Sequence, residues 1–226
     1  AGKKADIALG FENATGFSNA TIARRGASGW SVEVEGKRAH SSGVFNDRVG
    51  AGAIFEMSRI LNAFYEEVRG EEYLTFNPGT LLGGTFVDYN KQTSSGEVFG
   101  KTNVVAQKAI VNGGLRFISE EQKETARAKM RKIVSKNLPQ TSATINFTDS
   151  YPAMGPTEGN AALLKKLSDV SEDLGFGAVS GYDPGRRGAA DISFVADYVD
   201  GLDGLGTMGK GAHTPQETVN IKTMNA

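Results

Sequence analysis

Residues 6–12 alternate, with Ile7, Leu9 and Phe11 on one side, the period-two pattern of a half-buried strand, which delivers Glu12 at its end. A Gly/Ser/Asn-rich stretch runs to Gly29. Trp30, Val32 and Val34 then alternate with Ser31, Glu33 and Glu35, the clearest strand signal in the chain. Residues 36–43 read as a polar loop carrying His40. Asn46 or Asp47 can cap a helix bearing Val49, Ala53, Met57, Ile60, Leu61, Phe64 and Val68 at three-to-four spacing, with Gly70 suited to its C-terminal end. A strand is predicted over 80–87, a polar turn over 92–96 and an extended segment over 108–118. Ser119 with Gln122 forms a capping-box pattern for a helix whose apolar face is Ala126, Met130, Ile133 and Val134. Residues 144–148 close the series as a strand.

The resulting order, β-α-β-β-α-β, is that of a ferredoxin-like sandwich, two helices on one antiparallel sheet. This divides the chain into 1–27, a ferredoxin-like unit over 28–150, and 151–226. Residues 151–156, with Pro152, Gly155 and Pro156, read as a linker. Leu163, Leu164, Leu167, Val170 and Leu174 make one amphipathic helix stopped by Gly175, and the rest is glycine-rich loop around a short helix near 191–198. Neither end carries a core of its own, so the two are expected to pair into one incomplete α/β layer.

Composition changes this picture only by exclusion. The 226 residues are 39% hydrophobic and 23% charged, ordinary globular usage. A chain of this size buries roughly 70% of its extended surface, enough for a core without staples. The absence of cysteine removes disulfides, thiolate catalysis and Cys-ligated zinc. With 25 Lys+Arg against 26 Asp+Glu, nothing favours nucleic acid or an anionic membrane as partner. Twenty-nine glycines fall at turns rather than in a repeat, so many short elements follow.

The candidate chemistry is sparse. The 204–209 stretch fits a dinucleotide-loop spacing and 204–210 nearly a phosphate loop. Pro215 follows too soon for the required helix, however, and Gly211 stands where Ser or Thr should be, so both read as accidents of glycine content. The two histidines, His40 and His213, lie in loops of small residues, His213 beside Thr214, Pro215 and Glu217. One His with one Glu is too small a set for a catalytic zinc, which generally takes three protein ligands. Arg186 and Arg187, ahead of Gly188 and Asp191, could grip a carboxylate, as guanidinium does bidentately, or form an exposed basic turn. Asn103 and Arg116 are open to the same two readings.

Six segments together resemble the dinuclear zinc exopeptidase family of glutamate carboxypeptidases, aminoacylases and succinyl-diaminopimelate desuccinylase. They run from Ala5 to Glu12, Gly36 to Ser41, Thr102 to Val105, Gly114 to Phe117, Gly188 to Asp191 and Gly211 to Pro215. The resemblance lies in their order and spacing over almost the whole chain. It implies an α/β fold in which a ferredoxin-like α+β sandwich is inserted in a partial zinc-exopeptidase α/β domain. It implies Glu12 and His213 as ligands of a zinc pair. His40 would reach into a partner subunit's site to polarise the scissile carbonyl. Asn103 and Arg116 would hold the substrate's terminal carboxylate, with Gly188 and Asp191 bordering the same pocket. The family's first histidine ligand, bridging aspartate, general-base glutamate and a further carboxylate come from a segment preceding these, so the chain is expected to be the later part of such an enzyme and inactive alone. The implied substrate is a small peptide cleaved at its C-terminal residue, or an N-acyl amino acid. The implied assembly is a homodimer through the ferredoxin-like domain, which leaves a purely dimerising, non-catalytic module as the other reading. Bacterial cytoplasm and periplasm suit the cysteine-free composition equally.

Overall fold

The alternation at residues 30–35 becomes β1 (Gly26–Gly36), in which Trp30, Val32 and Val34 are buried as one stripe. These are the inner residues of a four-stranded sheet in a computed structural model that describes residues 2–224. After β1 come α1 (Ala53–Glu67), β2 (Thr75–Gly84), a hairpin of β3 (Phe86–Asn90) and β4 (Ser95–Phe99), then β5 (Lys108–Phe117), α2 (Glu120–Val134) and β6 (Thr141–Tyr151). The sheet order is β2-β5-β1-β6. With its two crossover helices this is the expected ferredoxin-like arrangement, enlarged by a hairpin between its second and third strands. Two compact units are present: 28–116 with 121–150, and 1–27 with 117–120 and 151–226.

In the ferredoxin-like unit, Met57, Ile60 and Phe64 of α1 and Ala126, Met130 and Ile133 of α2 are buried, each set on one helical face. Trp30 meets Phe64 edge to face at 5.6 Å and donates from its indole nitrogen to the Gly114 carbonyl at 3.0 Å. A Cβ at Gly113 would overlap the Trp30 ring and the Asn77 carbonyl, so only glycine fits there. Glu56 is fully buried on α1 and is matched by Arg59, whose two donors meet it at 3.0 and 2.7 Å. Glu56 also accepts the Leu138 N–H at 3.0 Å, and its hydrogen bonds to Arg59 push that guanidinium's pKa further up. The pair thereby fastens α1 to the chain leaving α2.

Several local expectations change. The first helix starts at Ala53 rather than at Asn46 or Asp47, because Gly50 and Gly52 take positive φ angles (69° and 78°) that interrupt a helix. Asn46 caps locally instead, its side chain accepting the Arg48 and Val49 N–H groups at 3.0 and 2.9 Å. The 80–87 strand divides: β2 ends at Gly84, the Thr85 N–H turns to the Phe99 carbonyl at 2.9 Å, and Phe86 opens the separate hairpin. Pro78 sits within β2, tolerated because β2 is an edge strand and shifts register between Pro78 and Thr80. Residues 151–156 are no linker, since Met154 is buried and exchanges backbone hydrogen bonds with Arg24 at 2.8 and 3.0 Å.

The other unit is built from short pieces. Ala8–Leu9 pairs in parallel with Gly201–Leu202, and Asn19–Ala20 in parallel with Ser180–Gly181. Beside them runs α3 (Glu158–Asp173), capped by Thr157, whose hydroxyl accepts the Asn160 N–H at 2.9 Å. Asn160 is buried and fully used: its amide donates to the Ile22 and Gly155 carbonyls at 2.9 and 3.3 Å, and its oxygen accepts the Gly201 N–H at 2.7 Å. Met154, Ala190 and Ile192 form a core cluster with Ala8, Val195 and Ala196 around it. Ile7, Leu9 and Phe11, expected on a half-buried face, are exposed. Among the described residues no helix is long and apolar enough to cross a membrane.

One pH dependence follows from the ferredoxin-like unit. Arg127 on α2 is buried, donates to Ser28 at 2.6 Å and pairs with Asp149 on β6. That hydrogen bond, helped by the Arg127 and Lys123 charges, holds the Asp149 carboxyl below its ordinary pKa against the opposing effect of burial. A carboxyl depressed in the folded state stabilises it above the unfolded value and loses that contribution as pH falls through the folded one. Asp149→Asn is therefore expected to lower the urea midpoint at neutral pH and to shrink its fall on acidification, measured across the carboxylate range.

Candidate functional site

The residues singled out from sequence fall into two groups. In the ferredoxin-like unit, the chain leaving β1 runs beside residues 103–105: His40 bridges Val104, the Ser41 N–H donates to the Asn103 carbonyl at 2.9 Å, and the Val105 N–H donates to the Ala39 carbonyl at 2.9 Å. His40 and Asn103 are thus neighbours on one exposed loop pair. The His40 backbone is extended (φ −65°, ψ 139°) and its ring caps the short turn Ser41–Gly43. Nδ1 accepts the Ser42 N–H at 3.2 Å and lies 2.9 Å from the Ser42 hydroxyl. A backbone N–H can only donate, so Nδ1 keeps its lone pair and the neutral ring carries its proton on Nε2.

Arg116 is exposed near the far end of β5, paired with Thr75, while Lys108 at the near end pairs with Gly84. The near end is the His40 end, because the Gly36 N–H at the close of β1 donates to the Gln107 carbonyl at 2.8 Å. At ~3.4 Å per residue, β5 separates Lys108 from Arg116 by roughly 25 Å. Within one copy, an extended strand therefore lies between Asn103 and Arg116, the two residues expected to hold the terminal carboxylate.

In the second unit, Glu12 is exposed just beyond Leu9, and its carbonyl accepts the Gly206 N–H at 2.9 Å. A Cβ at Gly206 would overlap the Phe11 carbonyl, so the two segments meet only because glycine stands there. Arg187 donates to the Asn13 carbonyl at 3.1 Å. Burial, then the nearby Arg24 charge, pulls the Arg187 pKa down, while Asp203 and Glu12 act in the opposite direction. Beneath lies a pair absent from the sequence reading. Arg24 Nε donates to Asp203 at 2.5 Å, with Asp203 wholly buried and Arg24 nearly so. Arg24 also donates to the Gly188 carbonyl at 3.1 Å, and Asp203 accepts the Gly204 N–H at 2.6 Å. One ion pair thus ties together the 188 loop, the 204 turn and the 21–24 segment. A lone charge between Leu202 and Gly204 was the available signal, but its partner lies too far along the chain for any spacing rule.

Asp191 is exposed at the head of the short turn Asp191–Phe194 and accepts from the Tyr151 hydroxyl at 3.4 Å. The Gly188 Cα faces open space. His213 is exposed in the loop of a hairpin in which Gly209–Lys210 pairs with Thr218–Val219. Its φ is 64°, left-handed and uncommon for a residue with a side chain, and its N–H reaches the Glu217 carboxylate at 3.4 Å. Among the described residues no group of three or more His, Cys, Asp or Glu is placed to hold a metal ion.

These arrangements define first a class: an α/β protein with a ferredoxin-like sandwich between segments of a second unit. A description of the M20 peptidase dimerisation domain matches residues 22–142. The chain belongs to the M20 peptidase family. The fold is shared with solved structures. These include an aminopeptidase PepT from Bacillus cereus (18% identity, 97% of this chain and 53% of that one, TM-score 0.72) and a tripeptidase from Staphylococcus aureus (20%, 98% and 54%, 0.68). A Bacillus subtilis protein, YXEP, described as a dinuclear metal binding M20 peptidase, is also similar (14%, 97% and 53%, 0.64). The chain spans about half the length of these structures. No curated protein matches it.

The Arg24–Asp203 pair makes a direct prediction. Asp203→Asn leaves a buried guanidinium unmatched and is expected to cost about 3–5 kcal/mol in urea unfolding. Arg24→Met combined with Asp203→Leu should recover part of that loss, because an apolar pair leaves neither charge stranded.

Proposed function

We propose that this chain is part of a metal-dependent M20 exopeptidase that cleaves the amide bond to the C-terminal residue of a small peptide, acting as a homodimer in which each site borrows residues from the partner's ferredoxin-like domain. The observation that carries this reading is the distribution of polar groups along β5. His40 and Asn103 lie at one end and Arg116 at the other, too far apart to meet on one small substrate unless they come from two copies.

The chemistry open to the chain's own residues is then specific. Arg116 would hold the terminal carboxylate of the substrate in its own subunit, with the planar fork that suits it. Asn103 of the partner subunit would add an amide donor. His40 of the partner subunit would present its Nε2–H to the carbonyl oxygen where negative charge develops, oriented by the Ser42 hydrogen bond to Nδ1. Gly188 and Asp191 would border the pocket. Glu12 and His213 would be this chain's ligands to a zinc pair. Among the described residues no three such donors are grouped to hold a metal ion, so no step is assigned to the metal. The left-handed His213 backbone supports a functional role there, since such strain persists where a site requires it.

An N-acyl amino acid as substrate keeps every one of these roles, because it ends in the same carboxylate.

Two experiments on the complete enzyme test the proposal. Mixing His40→Ala with Arg116→Ala chains, each nearly inactive alone, should restore up to about a quarter of normal turnover, because half of the randomly formed dimers carry one intact site. No recovery from chains shown to exchange would refute sharing between subunits. Product analysis on a dipeptide against an acetyl or succinyl amino acid separates the readings: release of the C-terminal amino acid from the dipeptide is expected, and turnover of acylated amino acids alone would favour the second.

A further inference from the structure

The His40 loop holds Phe45 against its own backbone preference and also against its preference for burial. Its φ is 72°, a left-handed conformation in which a bulky side chain crowds the main chain. The loop enforces this from several sides. The Phe45 N–H donates to the Gly50 carbonyl at 2.8 Å and the Gly50 N–H to the Asn46 carbonyl at 2.8 Å. Asn46 accepts the Arg48 and Val49 N–H groups, and the Gln140 amide grips the Asp47 carbonyl at 2.9 Å.

What this bracing achieves is display. The Phe45 ring is 68% exposed, and it lies 5.5 Å from the ring of Phe55, itself 55% exposed at the start of α1. Ile54, 48% exposed, adjoins Phe55 on the same helix. A braced, strained backbone that places an aromatic ring in water does nothing for the isolated subunit, which would be better served by glycine at this position. Rigid aromatic anchors of this kind dominate binding energy at protein interfaces.

We propose that Phe45, seated on Phe55, is an apolar knob that docks on a second copy of this chain and sets the depth to which His40 is delivered. This rests on the reading that His40 acts in the partner's site. Two observations identify the occupant. The knob lies inside the peptidase dimerisation domain match, residues 22–142. It also shares one hydrogen-bonded loop with His40: the Gly43 N–H donates to the His40 carbonyl at 3.0 Å and the Val44 N–H to the Ser41 carbonyl at 3.1 Å, so whatever body receives Phe45 is the body that His40 meets.

The test is sedimentation equilibrium of the chain and of two variants, Phe45→Gly and Phe45→Asn, with thermal unfolding of each. Glycine and asparagine both accept the left-handed backbone. The expected result is a dimer weakened roughly tenfold or more in both variants, with monomer unfolding temperatures unchanged or raised. Dimer affinity unchanged in the variants would overturn the knob while leaving the shared-site reading intact. Lower monomer unfolding temperatures in both variants would also overturn it, because Phe45 would then serve its own subunit. A reference chain that stays monomeric at every concentration would overturn it together with the shared-site reading.

Discussion

The length of β5 is the constraint on which the functional reading turns. Its pairing with β2 runs from Lys108 opposite Gly84 to Arg116 opposite Thr75, and a strand held in such a ladder neither folds back nor shortens. The residues at its two ends are fixed apart by backbone hydrogen bonds. A side chain that must act with one from the opposite end is therefore obliged to find it on another molecule. In the homodimer proposed above, this geometry would let an ordinary ferredoxin-like sandwich share residues between subunits.

The second unit solves a different problem with a single buried charge pair. Its segments are short, its strands only two residues long, and its glycines many, so regular structure alone would hold the Glu12 and Gly188 segments poorly. Arg24 and Asp203 supply what the ladders do not. Their charges are withdrawn from water, and every remaining donor that reaches a neighbouring carbonyl becomes a directional tie. Desolvation makes such a pair a weak source of net stability, but its geometry is demanding, which suits a scaffold for exposed functional groups. Glu56 and Arg59 do the same work between α1 and α2, with the Leu138 N–H as third partner.

Strain in the two candidate regions is local and specific. His213 and Phe45 both adopt left-handed backbones, and both are exposed at loops closed by hydrogen bonds within a few residues. In each case the surrounding loop, rather than the residue's own preference, decides the conformation. That pattern differs from the glycines at 50 and 52, whose positive φ angles simply end one loop and allow a helix to begin.

Much of the fold could be read from the linear pattern, because period two and period 3.6 are properties of residues near one another in the chain. Trp30, Val32 and Val34 announced β1, and Ala126, Met130 and Ile133 announced the buried face of α2. The order of elements followed, as did the loops holding His40 and His213. Where the pattern misled, a backbone effect outweighed it: two glycines delayed α1, and the turn at Gly84 split one expected strand into two. The Arg24–Asp203 pair and the distance between Asn103 and Arg116 had no linear signature. They depend on which strands lie side by side and in what register, and those choices arise only when distant segments pack. The sequence alone determined which chemical groups the chain carries and on what kind of element each lies. The tertiary structure decided which of them can meet, because reach across a sheet is set by pairing and not by position in the chain.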